Sequence, residues 1–367
     1  MSWVFEEFRD ARKAGLVLSK IRSLSDRLGP VRFMNVCGTH EHTIVHYGLR
    51  SLLPEGVELV AGPGCPVCVT PSRDIDYAVE LASEGICVLT YGDMLAVPGS
   101  RSSLLDARAE GADVRVVYSL LDAVKMAKSE PGREFVFFAI GFETTAPTTA
   151  ITVLKGLPDN LSILVAHRLI PPVMEFLLGL GDIHIDGFIA PGHVATVIGA
   201  RAFQLFPEAY GMPVVVAGFE PLDILLAVLM LMRQLEEGKP RVENEYSRSV
   251  KWEGNTRAQE LMDRAFEIVP GAWRGLGTIP SSALALRKAF SEHDAREKYG
   301  LEVGKSIDVH PGCSCHLIMM GRAKPTDCRL YGRACTPRRP MGPCMVSREG
   351  TCRIWFSHGI GICDARA

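Results

Sequence analysis

From residue 31 to about residue 220 one pattern recurs, and it narrows what the chain can become. A short run of β-branched, aromatic or leucine residues is followed by a turn with glycine or proline, then by a stretch with helical spacing. The runs are VRFMNVC (31–37), VELVAGPG (57–64), ICVLTYG (86–92), DVRVVYS (113–119), EFVFFAIGF (134–142), LSILVAH (161–167), DGFIAPG (186–192) and PVVVAGFE (213–220). Continuous apolar runs, as opposed to alternating ones, suit strands buried on both faces of a parallel sheet. Segments between them, such as RDIDYAVELASEG and VATVIGARAFQLF, are long enough for right-handed crossovers. At 367 residues the chain is larger than one hydrophobic core normally organises. The expectation is an α/β protein with two similar open parallel domains, 31–128 and 129–238, divided at the polar stretch AKSEPGRE (127–134). Eight strands closed into a barrel are the alternative.

After residue 240 the rhythm stops. NTRAQELMDRAFEIV (255–269) reads as an amphipathic helix, and from 310 onward Cys, Gly, Pro and Arg dominate. Residues 1–30 and 239–367 are therefore expected to form a mainly helical or irregular third domain, whose order a bound metal centre would explain. The N-terminal MSWVFEEFRDARKAG carries acidic residues and no continuous apolar stretch, so it reads as an amphipathic helix, not a signal peptide, and the chain is expected to be cytoplasmic. The most apolar window, 221–235, is interrupted by Asp223 and Arg233 and falls short of the roughly twenty residues that span a bilayer. It reads as a buried helix, with no membrane partner. Lys+Arg 40 against Asp+Glu 42 leaves a net charge of −2, which implies no polybasic surface for nucleic acid.

The eleven cysteines are unevenly placed: Cys37, Cys65, Cys68 and Cys87 come early, none lies from 88 to 312, and seven fall between 313 and 363. In a reducing compartment such usage favours metal-binding or catalytic sulfur, here at two separate sites. Ligands of open parallel sheets bind where strands end, and these ends are rich in chemistry. They read Cys37-Gly-Thr-His40-Glu41-His42, Gly62-Pro-Gly-Cys65-Pro-Val-Cys68 and Tyr91-Gly-Asp93, then GFETTAP (141–147), AHR (166–168) and PGH (191–193).

Cys65 and Cys68 are expected to precede a helix with Thr70 as N-cap, Pro71 at its first position and Asp74 in its first turn, where the dipole favours thiolate. The pair alone fits a redox dithiol and a metal chelate equally. Cys37 and His40 add a third sulfur and an imidazole. One reading is a structural zinc held by Cys37, His40, Cys65 and Cys68. The better fit to a domain that already has enough strands to fold is a soft, partly open iron site, with His42, Glu41 and Asp93 around it as proton-handling groups.

In the tail, Cys328, Cys335, Cys344 and Cys352 lie in a Gly/Pro-rich segment and could hold an iron-sulfur cluster; they lack the closely spaced pairs of zinc modules. Cys313 and Cys315 are extra candidates able to displace one of the four. Cys87 and Cys363 read as ordinary cysteines. Arg322, Lys324, Arg329, Arg333, Arg338 and Arg339 either balance cluster charge or form a solvated docking face. No phosphate-loop or dinucleotide fingerprint stands at a strand end, so no standard nucleotide site is expected.

Taken together, CGTHEH (37–42), GPGCPVC (62–68), YGDMLAVPG (91–99), GFETTAP (141–147), PGHV (191–194) and the tail spacing C-x₆-C-x₈-C-x₇-C resemble the HypD family of hydrogenase maturation factors. The resemblance spans nearly the whole chain. It implies two similar α/β domains plus a cluster domain, and a scaffold on which the iron of [NiFe]-hydrogenase receives its cyanide and carbon monoxide ligands. It also implies work in complex with HypC, cyanide delivered by HypE, and passage of the finished unit to the hydrogenase large subunit. Carried over by position, the iron-binding cysteine is Cys37 with His40 beside it, the redox pair is Cys65 and Cys68, and the [4Fe-4S] ligands are Cys328, Cys335, Cys344 and Cys352. A cluster moves single electrons and a dithiol exchanges two, so the one could govern the state of the other. A competing function is a cluster-dependent thiol-disulfide reductase acting on another protein, with Cys65 as attacking thiol and Cys68 as resolver.

Overall fold

The computed structural model describes residues 6–300 and 302–362; Cys363 lies outside them. All eight apolar runs are strands: β1 (Val31–Asn35), β2 (Val57–Ala61), β3 (Cys87–Thr90), β4 (Val114–Val116), β5 (Phe135–Gly141), β6 (Leu161–His167), β7 (Gly187–Pro191) and β8 (Val214–Ala217). They pair only in parallel and form two open sheets, which excludes the barrel. The first sheet runs β2-β1-β7-β8-β9, its edge being β9 (Val242–Asn244); the second runs β4-β3-β5-β6.

Strand pairing does not follow the linear division expected near residue 128. The first sheet takes β1 and β2 from before that point and β7 to β9 from after it, while the second takes β3 and β4 from before and β5 and β6 from after. The polar stretch 127–134 is only the connection from the helix Leu120–Ser129 into β5, inside one sheet. The same β-turn-α unit repeats throughout, so composition does not mark where the chain leaves one sheet for the other.

The region after 240 is also more regular than expected. The helix Thr256–Ala265 stops before the FEIV that was assigned to it, and those residues open β10 (Phe266–Trp273). It pairs antiparallel with β11 (Gly277–Leu286), where Phe266 faces Leu286. Aromatic and β-branched residues favour the pleated surface, and this local preference overrides the helical spacing upstream. The hairpin closes on the second sheet through Leu169 N–H donating to the Ser282 carbonyl at 2.9 Å.

The helix Ala11–Leu28 begins at Asp10, whose carboxylate accepts from the backbone N–H groups of Arg12 and Lys13. Its buried face, Leu18, Ile21 and Leu24, joins residues of the helix Pro221–Glu237 in the core on one side of the first sheet. That second helix is the apolar window of the sequence, buried as expected; among the described residues no helix is long and apolar enough to cross a membrane. Phe135 and Phe137 point into the core on the far side of the second sheet, and Phe138 into the central one. All three are fully buried, each worth about 1.5–3 kcal/mol in apolar burial.

The central core is shared. It contains Met34 and Val60 of the first sheet, Val136 and Phe138 of the second, and Cys344, Cys352 and Trp355 of the tail. Each sheet has a topological switch point, between β1 and β7 in the first and between β3 and β5 in the second. Crevices form at such points because successive crossovers leave in opposite directions.

Candidate metal and thiol centre

Cys37 is the residue where β1 gives way to the helix Gly38–His46, and it holds extended backbone at φ −156° and ψ 129°. Three segments converge on it. The GPGC loop comes so close that a Cβ on Gly64 would overlap the backbone of Cys37, and Gly38 N–H donates to the Gly64 carbonyl at 3.2 Å. From the other side the Ser347–Gly350 loop lies on Gly38, where a Cβ would collide with Glu349. Only glycine at both positions permits this approach. A small cavity at the junction is lined by Cys37, Glu41, Cys65, Cys68, Cys344 and Glu349.

Burial pushes the Cys37 thiol up to about 11, with the Glu349 carboxylate adding to the effect and the amides of His40 and Thr39 opposing it. At neutral pH it therefore keeps its proton, which a bound cation would displace. Cys65 and Cys68 are joined as a disulfide with Cα atoms 5.2 Å apart. They do not precede the long helix directly. They sit on their own turn, Pro66–Val69, where Cys68 N–H points at Cys65 Sγ at 3.2 Å. The expected Thr70 cap is not formed: its hydroxyl donates back to the Pro66 carbonyl at 2.9 Å, Pro71 occupies the cap position of the helix Ser72–Ser83, and Asp308 accepts from Ser72 N–H at 2.8 Å. A partner 236 residues away caps the helix, which no local sequence signal announces.

His40 is fully buried one turn beyond Cys37. Its Nε2 lies 3.2 Å from the Ala217 carbonyl at the end of β8, so Nε2 carries the proton and donates. Nδ1 is left as a buried lone pair with no partner. Burial, with a smaller contribution from His193, lowers the imidazole to about 4 and keeps it neutral. His193 follows β7 and stacks on Phe219 at 3.8 Å, and Phe219 lies 5.0 Å from His40. The sequence singled out that strand end without choosing His193.

Because His40 is anchored to β8 and the Cys65–Cys68 sulfurs are bonded to each other, the four ligands of the zinc reading are not assembled as one donor set. Glu41 is also committed elsewhere. Its carboxylate accepts from Trp355 Nε1 at 2.7 Å, Arg50 Nη2 at 2.8 Å and Asn35 Nδ2 at 3.1 Å. Burial works to raise its pKa, and Arg50 with the other two donors outweighs that, leaving it below the ordinary value. Glu41 thus ties the Cys37 helix to the tail as a fixed anion. Asp93 is exposed, on the turn Gly92–Met94, and accepts from Ser347 Oγ at 3.4 Å. His42 lies on the outer face of the helix, beside His46 and His358.

Cys328, Cys335, Cys344 and Cys352 are buried around one cavity, with Cys313 and Cys315 on the same wall and Tyr331 and Met345 closing it. The two sulfur regions, expected to be separate, share a wall, since Cys344 also lines the cavity of Cys37. The thiols crowd one another. Cys313 is pushed up to about 12, first by its hydrogen bond with Cys315, and Cys328 to about 12, first by its hydrogen bond with Cys313. Within the Cys344–Cys352 pair the first is lowered because the second donates to it, and Cys352 is raised in turn. So many soft donors in one apolar hollow cannot ionise together without a cationic centre among them, a donor set compatible with a thiolate-bound iron-sulfur cluster.

A buried arginine unmarked by any motif, Arg274, contributes positive charge beside Cys315 and Cys313, with Nε donating to the Asp308 carbonyl at 2.7 Å. Arg329, Arg333, Arg338 and Arg339 are exposed around the same loops, so they form a solvated basic face. Arg322 and Lys324 pair instead with Asp182 and Glu58. Cys87 is buried in β3 and raised to about 12 by burial and by its bond to Asp113, away from both sulfur cavities.

The HypD family model, described as the hydrogenase formation hypA family, matches residues 12–359. The chain belongs to the HypD family. It is 47% identical over 366 residues to the hydrogenase maturation factor HypD of Azotobacter vinelandii, covering 96% of each chain. Over 366 residues it is 46% identical to the hydrogenase maturation factor HypD2 of Bradyrhizobium diazoefficiens, again with 96% of each covered. A putative hydrogenase expression/formation protein of Methanocaldococcus jannaschii is 47% identical over 344 residues, 93% of this chain and 96% of its own. Membership in the HypD family assigns the chain a role in hydrogenase maturation.

Proposed function

We propose that the chain is the scaffold on which the iron of [NiFe]-hydrogenase acquires its cyanide and carbon monoxide ligands, working in the cytoplasm in complex with HypC and receiving cyanide from HypE. The observation that carries this is the contiguity of three kinds of sulfur: a single free thiol at Cys37, the Cys65–Cys68 disulfide, and a six-cysteine hollow that meets them at Cys344. The iron unit is cargo, handed on toward the hydrogenase large subunit.

Cys37 gives up its proton on binding iron and becomes the thiolate ligand. The unpartnered lone pair on His40 Nδ1 is the atom that residue would offer to the iron as a ligand. Glu41 holds the helix bearing both residues against Trp355, so their spacing to the tail is fixed. A [4Fe-4S] cluster held by Cys328, Cys335, Cys344 and Cys352 would supply electrons one at a time. Opening the Cys65–Cys68 disulfide takes two electrons and two protons and yields two thiols facing the Cys37 cavity.

Burial argues against the reductase reading. Cys65 is 5% exposed and Cys68 1%, so a disulfide on another folded protein cannot approach in line with either sulfur. The test is infrared and Mössbauer spectroscopy on the protein purified anaerobically with HypC. Cyanide and carbon monoxide bands and a four-iron signal are expected in the native complex, with the bands lost in a Cys65→Ala, Cys68→Ala double variant. A native complex without either signature, or a double variant with undiminished bands, overturns the proposal.

A further inference from the structure

Three histidines that the sulfur centre does not use meet on the outer side of the Gly38–His46 helix. His42 and His46 stand four residues apart and so share one face, with rings stacked at 5.5 Å. His358 arrives from the end of the helix Thr351–Ser357, its ring 5.6 Å from His42 and 5.5 Å from His46 and turned edgewise to both. One ring nitrogen of each lies within 4.8 Å of the other two, and all three residues are exposed.

One nitrogen of the set is fixed as an acceptor. His358 Nδ1 is 2.9 Å from the Ile354 carbonyl, which can only accept, so Nδ1 holds the proton and Nε2 presents its lone pair. That Nε2 accepts from His46 Nδ1 at 3.3 Å, and an ion held between the two rings would replace the shared proton. Two nitrogens bound at about 2.0–2.1 Å to one tetrahedral ion stand about 3.3–3.4 Å apart, so this pair already has the spacing of a shared metal. A rotation of the exposed His42 ring brings in the third.

The geometry points to a tri-imidazole site for one borderline divalent transition ion, of which Zn²⁺ is the type, with solvent completing its coordination. Neutral imidazoles select such ions over Mg²⁺ and Ca²⁺, which take oxygen. The site spans two elements that matter to the centre, the helix that starts at Cys37 and the helix that carries Cys352. A bound ion clasps them on the outside, as the Glu41–Trp355 hydrogen bond does on the inside. Mass action then favours the docked tail in proportion to ion occupancy.

The test uses the full chain, purified anaerobically with its cluster assembled and freed of loose ions by a chelator. Co²⁺ is titrated and followed by absorption, and melts are recorded with 100 μM Zn²⁺ or Mg²⁺. One equivalent of Co²⁺ is expected to give ligand-field bands without thiolate-to-cobalt charge transfer. His46→Gln and His358→Gln should each weaken binding at least tenfold while leaving the metal-free melt unchanged, and Zn²⁺ but not Mg²⁺ should raise the melting temperature of the native chain. A thiolate charge-transfer band for the first equivalent assigns the ion to cysteine and overturns the site. So does an affinity within twofold of native in the His46→Gln, His358→Gln double variant, or no binding by the native chain at 100 μM Co²⁺.

Discussion

The two parallel sheets share a strand order around their switch points, and in both the sequence places its motifs at the same ends. In the first sheet the ends carry Cys37 and His40, which face cavities or keep a lone pair free. In the second the corresponding polar groups are largely tied to one another. Arg168 donates to Asp74 at 2.9 Å and to the Ala272 carbonyl at 2.8 Å, and Arg296 reaches the other oxygen of Asp74 at 2.9 Å; His167 is the exception, with Nε2 3.2 Å from Thr149 Oγ1 and Nδ1 unpartnered like that of His40. Equivalent positions thus serve opposite ends. One sheet end is held open for chemistry, and the other is cross-linked so that β6, the Ser72–Ser83 helix and the β10–β11 hairpin become one body.

Substitutions at the two ends should therefore fail in different ways. The largest effect is expected from Cys37→Ala, which should abolish iron and cyanide bands while leaving the fold intact by circular dichroism; Cys87→Ala, in the second sheet, should leave the bands at native intensity. Equal losses in both would erase the contrast. Gly64→Ala forces the GPGC loop off Cys37 and should cost about 3 kcal/mol or more in urea unfolding, since overpacking against backbone has no soft neighbour to yield. Arg168→Ala leaves Asp74 buried with one partner in place of two and should cost about 3 kcal/mol, with iron loading per folded molecule unchanged. If loading falls along with stability, the second sheet does more than brace.

A third effect, comparable at pH 8 and smaller below it, depends on pH. Glu143 is buried with one oxygen accepting from Ile170 N–H and the other unpartnered, and burial raises it to about 7. A carboxyl raised in the folded state stabilises fully below its unfolded value and loses that contribution as pH climbs through the folded one. The loss is on the order of 3 kcal/mol by pH 8. Glu143→Gln stays neutral, so its advantage over the native chain should grow from about 1 kcal/mol or less at pH 5 to about 3 kcal/mol at pH 8. Parallel curves over that range would show the carboxyl to be ionised throughout.

What the sequence revealed depended on how local the cause was. The eight strands were legible because burial on both faces writes itself as unbroken apolar runs. The division between sheets was not, because pairing of β1 with β7 is a long-range choice that leaves no mark on either run. The cysteines and His40 stood out by spacing, but their orientation did not: His40 turns to Ala217, and Glu41 is saturated by Trp355, 314 residues on. Glu349 and Arg274 escaped notice since each gains its meaning only from neighbours folded against it. The His42, His46 and His358 set was half visible, as an i, i+4 pair awaiting a third member from the last helix.

The interrupted first sheet also governs the order in which the centre can come into being. About 125 residues separate Ala61 from Gly187, and at translation rates of roughly 5–20 residues per second β1 and β2 wait many seconds for their next partner. The Ser347–Gly350 loop that closes over Cys37 emerges about 310 residues after it. The thiol is therefore made long before it is enclosed, and iron has a finished pocket to enter only after the Ser347–Gly350 loop has been synthesised.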